Sequence, residues 1–422
     1  MTGVRIRGKI AAPVSAANEP RPLPARRAAL AALALLAAAC SSRTPARSEQ
    51  AAPAAAAGQL ARVRPPPPPC LPGEPDAPAA ALENRAAAER EAGRAEQALA
   101  CAEDALERAP RSRRAILERA LALADLERPA DARAAVDRAL AAWPEDLEVL
   151  ATAADVYVTR LSDRDALEAG RDLALRGAAR ALRGPRPDRA GAARLHLLAG
   201  MAENDLGRSR EALAHLELSL RERPGDADAL YERGVALFEL CRFGPARRTF
   251  EAVLRRSPQD AWSLHYLGLI AERGGEEGRA RSLLARAARL APTELHPMVE
   301  MDREAFAAEV RDAVAALPDD DRRALSGVPV EVEEIPGLPD LTAVDPPLSP
   351  SILGLFRGTA LGEECPPEEG PRCRSVVLYR RNLLRFARDR AEVAEQVRVT
   401  LLHEIGHLRG ESDEQLRARG LE

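Results

Sequence analysis

Aromatic residues are scarce. Six Phe, four Tyr and two Trp make up 3% of 422 residues, so the cores must be built from Ala, Leu and Val, as in close-packed helices. Lysine is almost missing, with Lys9 the only one, and Arg carries the positive charge. Together with the abundance of Ala and Pro this reads as the coding bias of a GC-rich genome, so Ala-richness alone is not a helix signal. There is no basic excess either: 61 Lys+Arg stand against 65 Asp+Glu, a net charge of −4, which excludes a general nucleic-acid binder. No cysteine pair has zinc-finger spacing. The length, at about 150 residues per domain, predicts two to three domains and not one globule.

Arg26 and Arg27 precede an apolar run from Ala28 to Ala39, shorter than the roughly 20 residues that span a bilayer but sufficient for the core of an export signal. The run closes on Leu35-Leu36-Ala37-Ala38-Ala39-Cys40-Ser41-Ser42 and resembles the lipobox of bacterial lipoprotein precursors, although Ala37 stands where that family usually has Leu. The resemblance implies a signal over residues 1–39, lipidation of Cys40 as the mature N-terminus, membrane attachment through its acyl chains, and, from Ser41, an outer-membrane location facing the periplasm. Residues 40–78, rich in Ala and Pro with an unbroken run from Pro65 to Pro69, predict a disordered, extended tether and not a packed core.

From residue 79 the chain repeats. Ala98 and Ala132 are 34 residues apart, as are Ala212, Ala246 and Ala280; Pro110 and Pro144 keep the same interval, as do Pro224, Pro258 and Pro292. A small residue at Gly234 or Gly268 lets one helix approach the next, Ala246 or Ala280 does so from the other side, and the Pro ends the second helix. The pattern resembles tetratricopeptide repeats. It predicts an all-α solenoid over 79–294 in about six units: 79–112, 113–146, 147–188, 193–226, 227–260 and 261–294. The third is irregular, with an insertion expected around Leu161 to Glu168. The resemblance implies a peptide or partner protein bound on the concave face. His196, His215 and His265 lie singly in the repeats and read as packing or surface residues.

After Pro292 the periodicity stops and a mixed pattern begins, predicting a small α+β domain over 295–422. A helix is expected from Arg303 to Leu317, strands at Val328–Glu333 and Ser375–Tyr379, a short apolar segment at Leu353–Phe356, and a closing helix from Ala391 to Arg409. Val393, Val397, Leu401 and Ile405 form the core stripe of that last helix. It carries His403-Glu404-Ile405-Gly406-His407. Residues four apart share a helix face, so the two imidazoles can grip one metal ion while Glu404 leans toward a metal-bound water. Gly410 can turn the chain back and bring Asp413 in as third ligand, in the spacing His-Glu-x-x-His-x-x-Gly-x-x-Asp, with Glu411 and Glu414 as the other acids in reach.

These residues, with Val376 to Arg381, Val399 to Thr400 and Ser412 to Glu414, look like the minimal zincin-like metallopeptidase family. Phe306 to Leu317 and Val328 to Glu333 extend the likeness. The resemblance implies a zinc-dependent peptidase: Zn²⁺ on His403, His407 and Asp413 acidifies a water, Glu404 takes its proton, and a polarised peptide carbonyl is attacked. No Met-turn follows His407, and no later Tyr or His is at hand for the oxyanion. Tyr379 is the candidate transition-state helper, with Arg380 and Arg381 beside it.

Five cysteines remain beyond Cys40. Cys365 and Cys373, flanking a Pro-rich loop, are the expected disulfide, Cys70 with Cys101 a second candidate pair, and Cys241 a residue at an interhelical turn. The sequence thus reads as a lipid-anchored, exported zinc metallopeptidase whose repeats bind a partner or substrate. The rival reading is a non-enzymatic envelope scaffold with a structural or inactive zincin-like domain.

Overall fold

The structure, a computed structural model, describes Cys70 and residues 76–161, 163–183, 185–365 and 373–421. The export signal, Cys40 and almost all of the tether lie outside the described residues. Those that are described form two compact units, dividing at residue 162. No helix among them is long and apolar enough to cross a membrane.

The first unit consists of α1 (Ala79–Glu91), α2 (Ala95–Arg108), α3 (Arg113–Asp125), α4 (Pro129–Ala142) and α5 (Leu147–Val156), the last running on into a π-helical turn at Tyr157–Leu161. The predicted Ala98 and Ala132 are buried, and so are Ala86, Ala102, Ala105, Ala135 and Ala139 of the same helices. Ser112 and Asp146 cap α3 and α5 by accepting backbone N–H bonds that the first turn leaves unused. Cys70 is bonded to Cys101, fastening the segment before α1 to α2.

The second unit opens with α6 (Arg164–Ala181), followed by three helical hairpins: α7 (Arg189–Asp205) with α8 (Ser209–Glu222), α9 (Ala227–Glu239) with α10 (Phe243–Arg256), and α11 (Ala261–Arg273) with α12 (Glu277–Leu290). The glycines do what their spacing predicts. A Cβ at Gly234 would lie 2.6 Å from Phe250 Cε1, and one at Gly268 would lie 2.7 Å from Leu284 Cγ. The turns within the hairpins repeat as well: Gly93, Glu127, Gly207, Cys241 and Gly275 hold one repeat position and all have φ between +56° and +74°. The irregular third repeat is where the units divide. Its surplus residues go into the π turn and into an α6 of 18 residues.

The C-terminal part of the second unit holds α13 (Arg303–Ala316), α14 (Asp319–Ala324), β1 (Val330–Glu333), α15 (Leu338–Leu341), β2 (Gly354–Arg357), β3 (Ser375–Tyr379), α16 (Arg380–Phe386), α17 (Arg390–Leu408) and α18 (Asp413–Ala418). The sheet order is β1-β3-β2, with β1 parallel and β2 antiparallel to β3, so β2 is an edge strand. One face carries Val330, Val332, Val376, Leu378 and Phe356 onto Phe306 of α13 and the predicted stripe Val393, Val397, Leu401 and Ile405 of α17. The other carries Leu355, Val377 and Tyr379 onto Leu341, Leu348 and Ile352, with Cys241 and Phe243 of the fifth repeat packed against them. The last repeat is joined by charge: buried Glu272 accepts from Arg381 and Arg385 of α16 at 3.0 and 2.9 Å.

Candidate metal centre

α17 delivers His403, Glu404 and His407, all buried, in its last two turns. Gly410, at φ +87°, then reverses the chain, and Ser412 with Gln415 forms a reciprocal cap that starts α18. Asp413, the first residue of α18, is thereby turned back toward α17. Its Oδ1 stands 3.2 Å from His407 Nε2 and 3.9 Å from His403 Nε2.

The imidazoles are oriented from behind. His403 Nδ1 lies 2.9 Å from the Leu421 carbonyl and His407 Nδ1 lies 3.1 Å from that of Glu411, so each Nδ1–H donates to a backbone oxygen and leaves Nε2 as a lone pair. The two Nε2 atoms are 3.0 Å apart. Two lone pairs at that distance repel unless a cation or proton lies between them. Asp413 Oδ1 and Glu404 Oε2 are both buried without a hydrogen-bond partner among the described residues. The three ligand atoms lie within 4.8 Å of one another, and His403, His407 and Asp413 are the only such trio of His, Cys, Asp or Glu among the described residues. Two nitrogens and one carboxylate oxygen around a shared point fit a single divalent ion of the zinc type.

Glu404 sits under the edge strand. A Cβ at Gly354 of β2 would lie 2.5 Å from Thr400 Cγ2 and 3.3 Å from Glu404 Cγ, so only glycine lets β2 lie this close to α17. The Phe356 N–H bonds the Glu404 carboxylate. Burial nevertheless outweighs that bond and pushes Glu404 up to about 7. For His407, burial would lower the pKa, but the neighbouring Asp413 and Glu404 carboxylates outweigh it and raise it.

Of the predicted site residues, the fold brings together His403, Glu404, His407 and Asp413. Glu411 contributes its carbonyl to His407 while its carboxylate pairs with Arg419, and Glu414 is exposed. Tyr379 is not at the cluster. It is fully buried on the sheet face away from α17, with its hydroxyl 3.3 Å from Asp340, because strand alternation puts it among Leu341, Leu348 and Ile352. Arg380 and Arg381 are likewise engaged elsewhere, bound to Glu334 and, for Arg381, to Glu272 and Glu277. Cys365 and Cys373 are bonded to each other. The segment before them is held to the end of α17 by the Leu361 N–H on the Leu408 carbonyl. The carbonyls of Leu421 and Glu411 carry no sequence signal, since any residue supplies one.

Residues 325–421 match the family model of zincin-like metallopeptidases, and residues 83–146, 197–261 and 242–294 match a tetratricopeptide repeat model. No curated protein is significantly similar to the chain. Among solved structures, one from a functional characterization of Pseudomonas aeruginosa pilF is 21% identical, with a TM-score of 0.43, over 51% of this chain and 92% of its own. PilW, described as a widely conserved type IV pilus biogenesis factor, is 22% identical with a TM-score of 0.45, over 51% of this chain and 96% of its own. TTC0263, a tetratricopeptide repeat protein of Thermus thermophilus, is 20% identical with a TM-score of 0.38, over 49% of this chain and 99% of its own.

Proposed function

From a chain in which tetratricopeptide repeats lead into a zincin-like metallopeptidase domain, we propose a zinc-dependent peptidase whose repeats engage a partner or substrate protein. The observation that carries the reading is the pair of Nε2 atoms 3.0 Å apart, each fixed from behind by a carbonyl, with the unpartnered oxygens of Asp413 and Glu404 beside them. Zinc held by His403, His407 and Asp413 would supply Lewis acidity toward a water and a peptide carbonyl.

The chain's own residues supply the rest. The Leu421 and Glu411 carbonyls fix the histidine tautomers, so that both rings present Nε2. Glu404, buried and held through the Phe356 N–H, takes a proton from the attacking water at Oε2 and returns it to the departing amine. The free side of β2 runs beside Glu404, so an extended substrate segment can add to the sheet there through main-chain hydrogen bonds. The proposal extends to location: export, lipidation at Cys40 and attachment to the outer membrane of a bacterial envelope, facing the periplasm.

The test is Glu404→Gln. The variant should bind as much zinc as the wild type and lose cleavage of an unstructured protein such as casein by about 100-fold or more. Cleavage equal to wild type at full zinc content would reject the enzymatic reading. One observation favours the scaffold alternative: Tyr379 is turned away, leaving the oxyanion without that donor. On that reading wild type and Glu404→Gln are equally inert, and only changes in the repeats abolish function.

A further inference from the structure

The 34-residue period sets chemistry in register along the first helices of the repeats. Asp205 and Glu239 close α7 and α9 at equivalent positions, and Glu232 of α9 corresponds to Tyr266 of α11. Asn204 donates to the Glu232 side chain at 2.9 Å and to its carbonyl at 3.0 Å, drawing α7 and α9 together. Tyr231 and Tyr266 meet edge to face, with ring centroids 6.3 Å apart.

Two other buried acids of the repeats are paired with arginine. Glu203 lies near Arg171 and Arg208, and Glu272 is held by Arg381 and Arg385. Asp205 and Glu239 are different. Among the described residues neither forms an ion pair, and both are half-buried, set deep in the protein yet still reached by solvent. Burial, with the Glu232 charge adding to it, raises Asp205 well above its usual range, and burial pushes Glu239 up to about 7 although the Ser349 hydroxyl beside it acts the other way. The Tyr266 hydroxyl is the independent sign of a ligand. Its residue is 1% exposed, the oxygen has no hydrogen-bond partner among the described residues, and burial, with the nearby Tyr231, Glu239, Glu232 and Asp205 adding to it, raises its pKa well above the usual range.

We infer that this acidic cluster on the repeats takes the basic side chain, arginine or lysine, of an extended peptide. The inference rests on the reading that the repeats engage a partner or substrate, and it names the chemistry of that partner. A bare metal ion fits less well, since no three of these carboxylates come close enough to share one. A guanidinium or ammonium can donate to several acceptors at once, the idle Tyr266 oxygen among them.

The experiment uses the full chain and two fluorescein-labelled, glycine- and serine-rich peptides. One carries several arginines, and the other has the neutral isostere citrulline in their place. Anisotropy titrations are run above the Glu239 pKa of about 7. The arginine peptide should bind about tenfold tighter than the citrulline peptide. The Asp205→Asn/Glu239→Gln double variant should erase that preference, with a thermal midpoint equal to or above that of wild type, since unpaired buried charge is removed. Tyr266→Phe, which deletes only the hydroxyl, should weaken the arginine peptide by a few-fold. Equal binding of both peptides overturns the inference but leaves a peptide-binding groove standing. No binding of either peptide, or an unchanged preference in the folded double variant, overturns it as well.

Discussion

Gly406 of α17 and Leu416 of α18 are packed so closely that a Cβ at position 406 would lie 2.2 Å from Leu416 Cδ2. α18 begins at Asp413, so this contact sets where the carboxylate oxygen of the His403–His407–Asp413 trio stands. Gly406→Ala should therefore push α18 outward, costing about 1–3 kcal/mol of stability from overpacking and weakening zinc binding. Competition with a chromogenic chelator measures the second effect. Unchanged zinc affinity in the folded variant would show that Asp413 is not held by this contact.

The last repeat and α16 share a buried charge. Glu272→Ala leaves Arg381 and Arg385 without their buried partner and should lower stability by about 3 kcal/mol. Urea denaturation measures it. A loss below about 0.5 kcal/mol would place this pair with the many surface ion pairs that contribute nothing measurable.

Glu239 predicts a pH dependence. Its carboxyl is raised to about 7 in the fold and returns to its usual 4.5 when unfolded, so between these values the folded chain holds more protons. Its stabilising contribution is complete below pH 4.5 and is lost as pH rises through about 7. Wild type should lose more stability than Glu239→Gln between pH 5 and about 8. Parallel pH profiles for the two proteins would contradict the assignment.

Cysteine chemistry gives a covalent check. Digestion without reduction, followed by mass spectrometry, should find Cys70 linked to Cys101 and Cys365 linked to Cys373. Cys241 should be free but slow to alkylate near neutral pH, because burial raises its thiol to about 11. Rapid modification of Cys241 in the native chain would contradict its packing against the Leu341–Ile352 cluster.

The legible parts of the sequence were those governed by a period or a fixed spacing. The 34-residue interval of Ala and Pro placed the helical hairpins, and the alternation over Val328–Glu333 placed β1. The i, i+4 histidines with Gly410 and Asp413 placed the His403–His407–Asp413 trio. Tyr379 was the failure: alternation says that it shares a face with Val377, but not which face meets α17, and the partner helix decides that. β2 was read only as an apolar segment because it is four residues long and mostly buried, so it shows no alternation. α16 was hidden because its arginines are spent on Glu272 and Glu334, partners distant in sequence.

The most direct measurement is the metal content of the purified chain, by elemental analysis, beside His403→Ala and Asp413→Ala. One zinc per chain is predicted for wild type. It should be lost in His403→Ala and lost or strongly weakened in Asp413→Ala, with both variants folded by circular dichroism. A folded wild type that takes up no zinc would contradict the account and leave a repeat protein with an inert C-terminal domain.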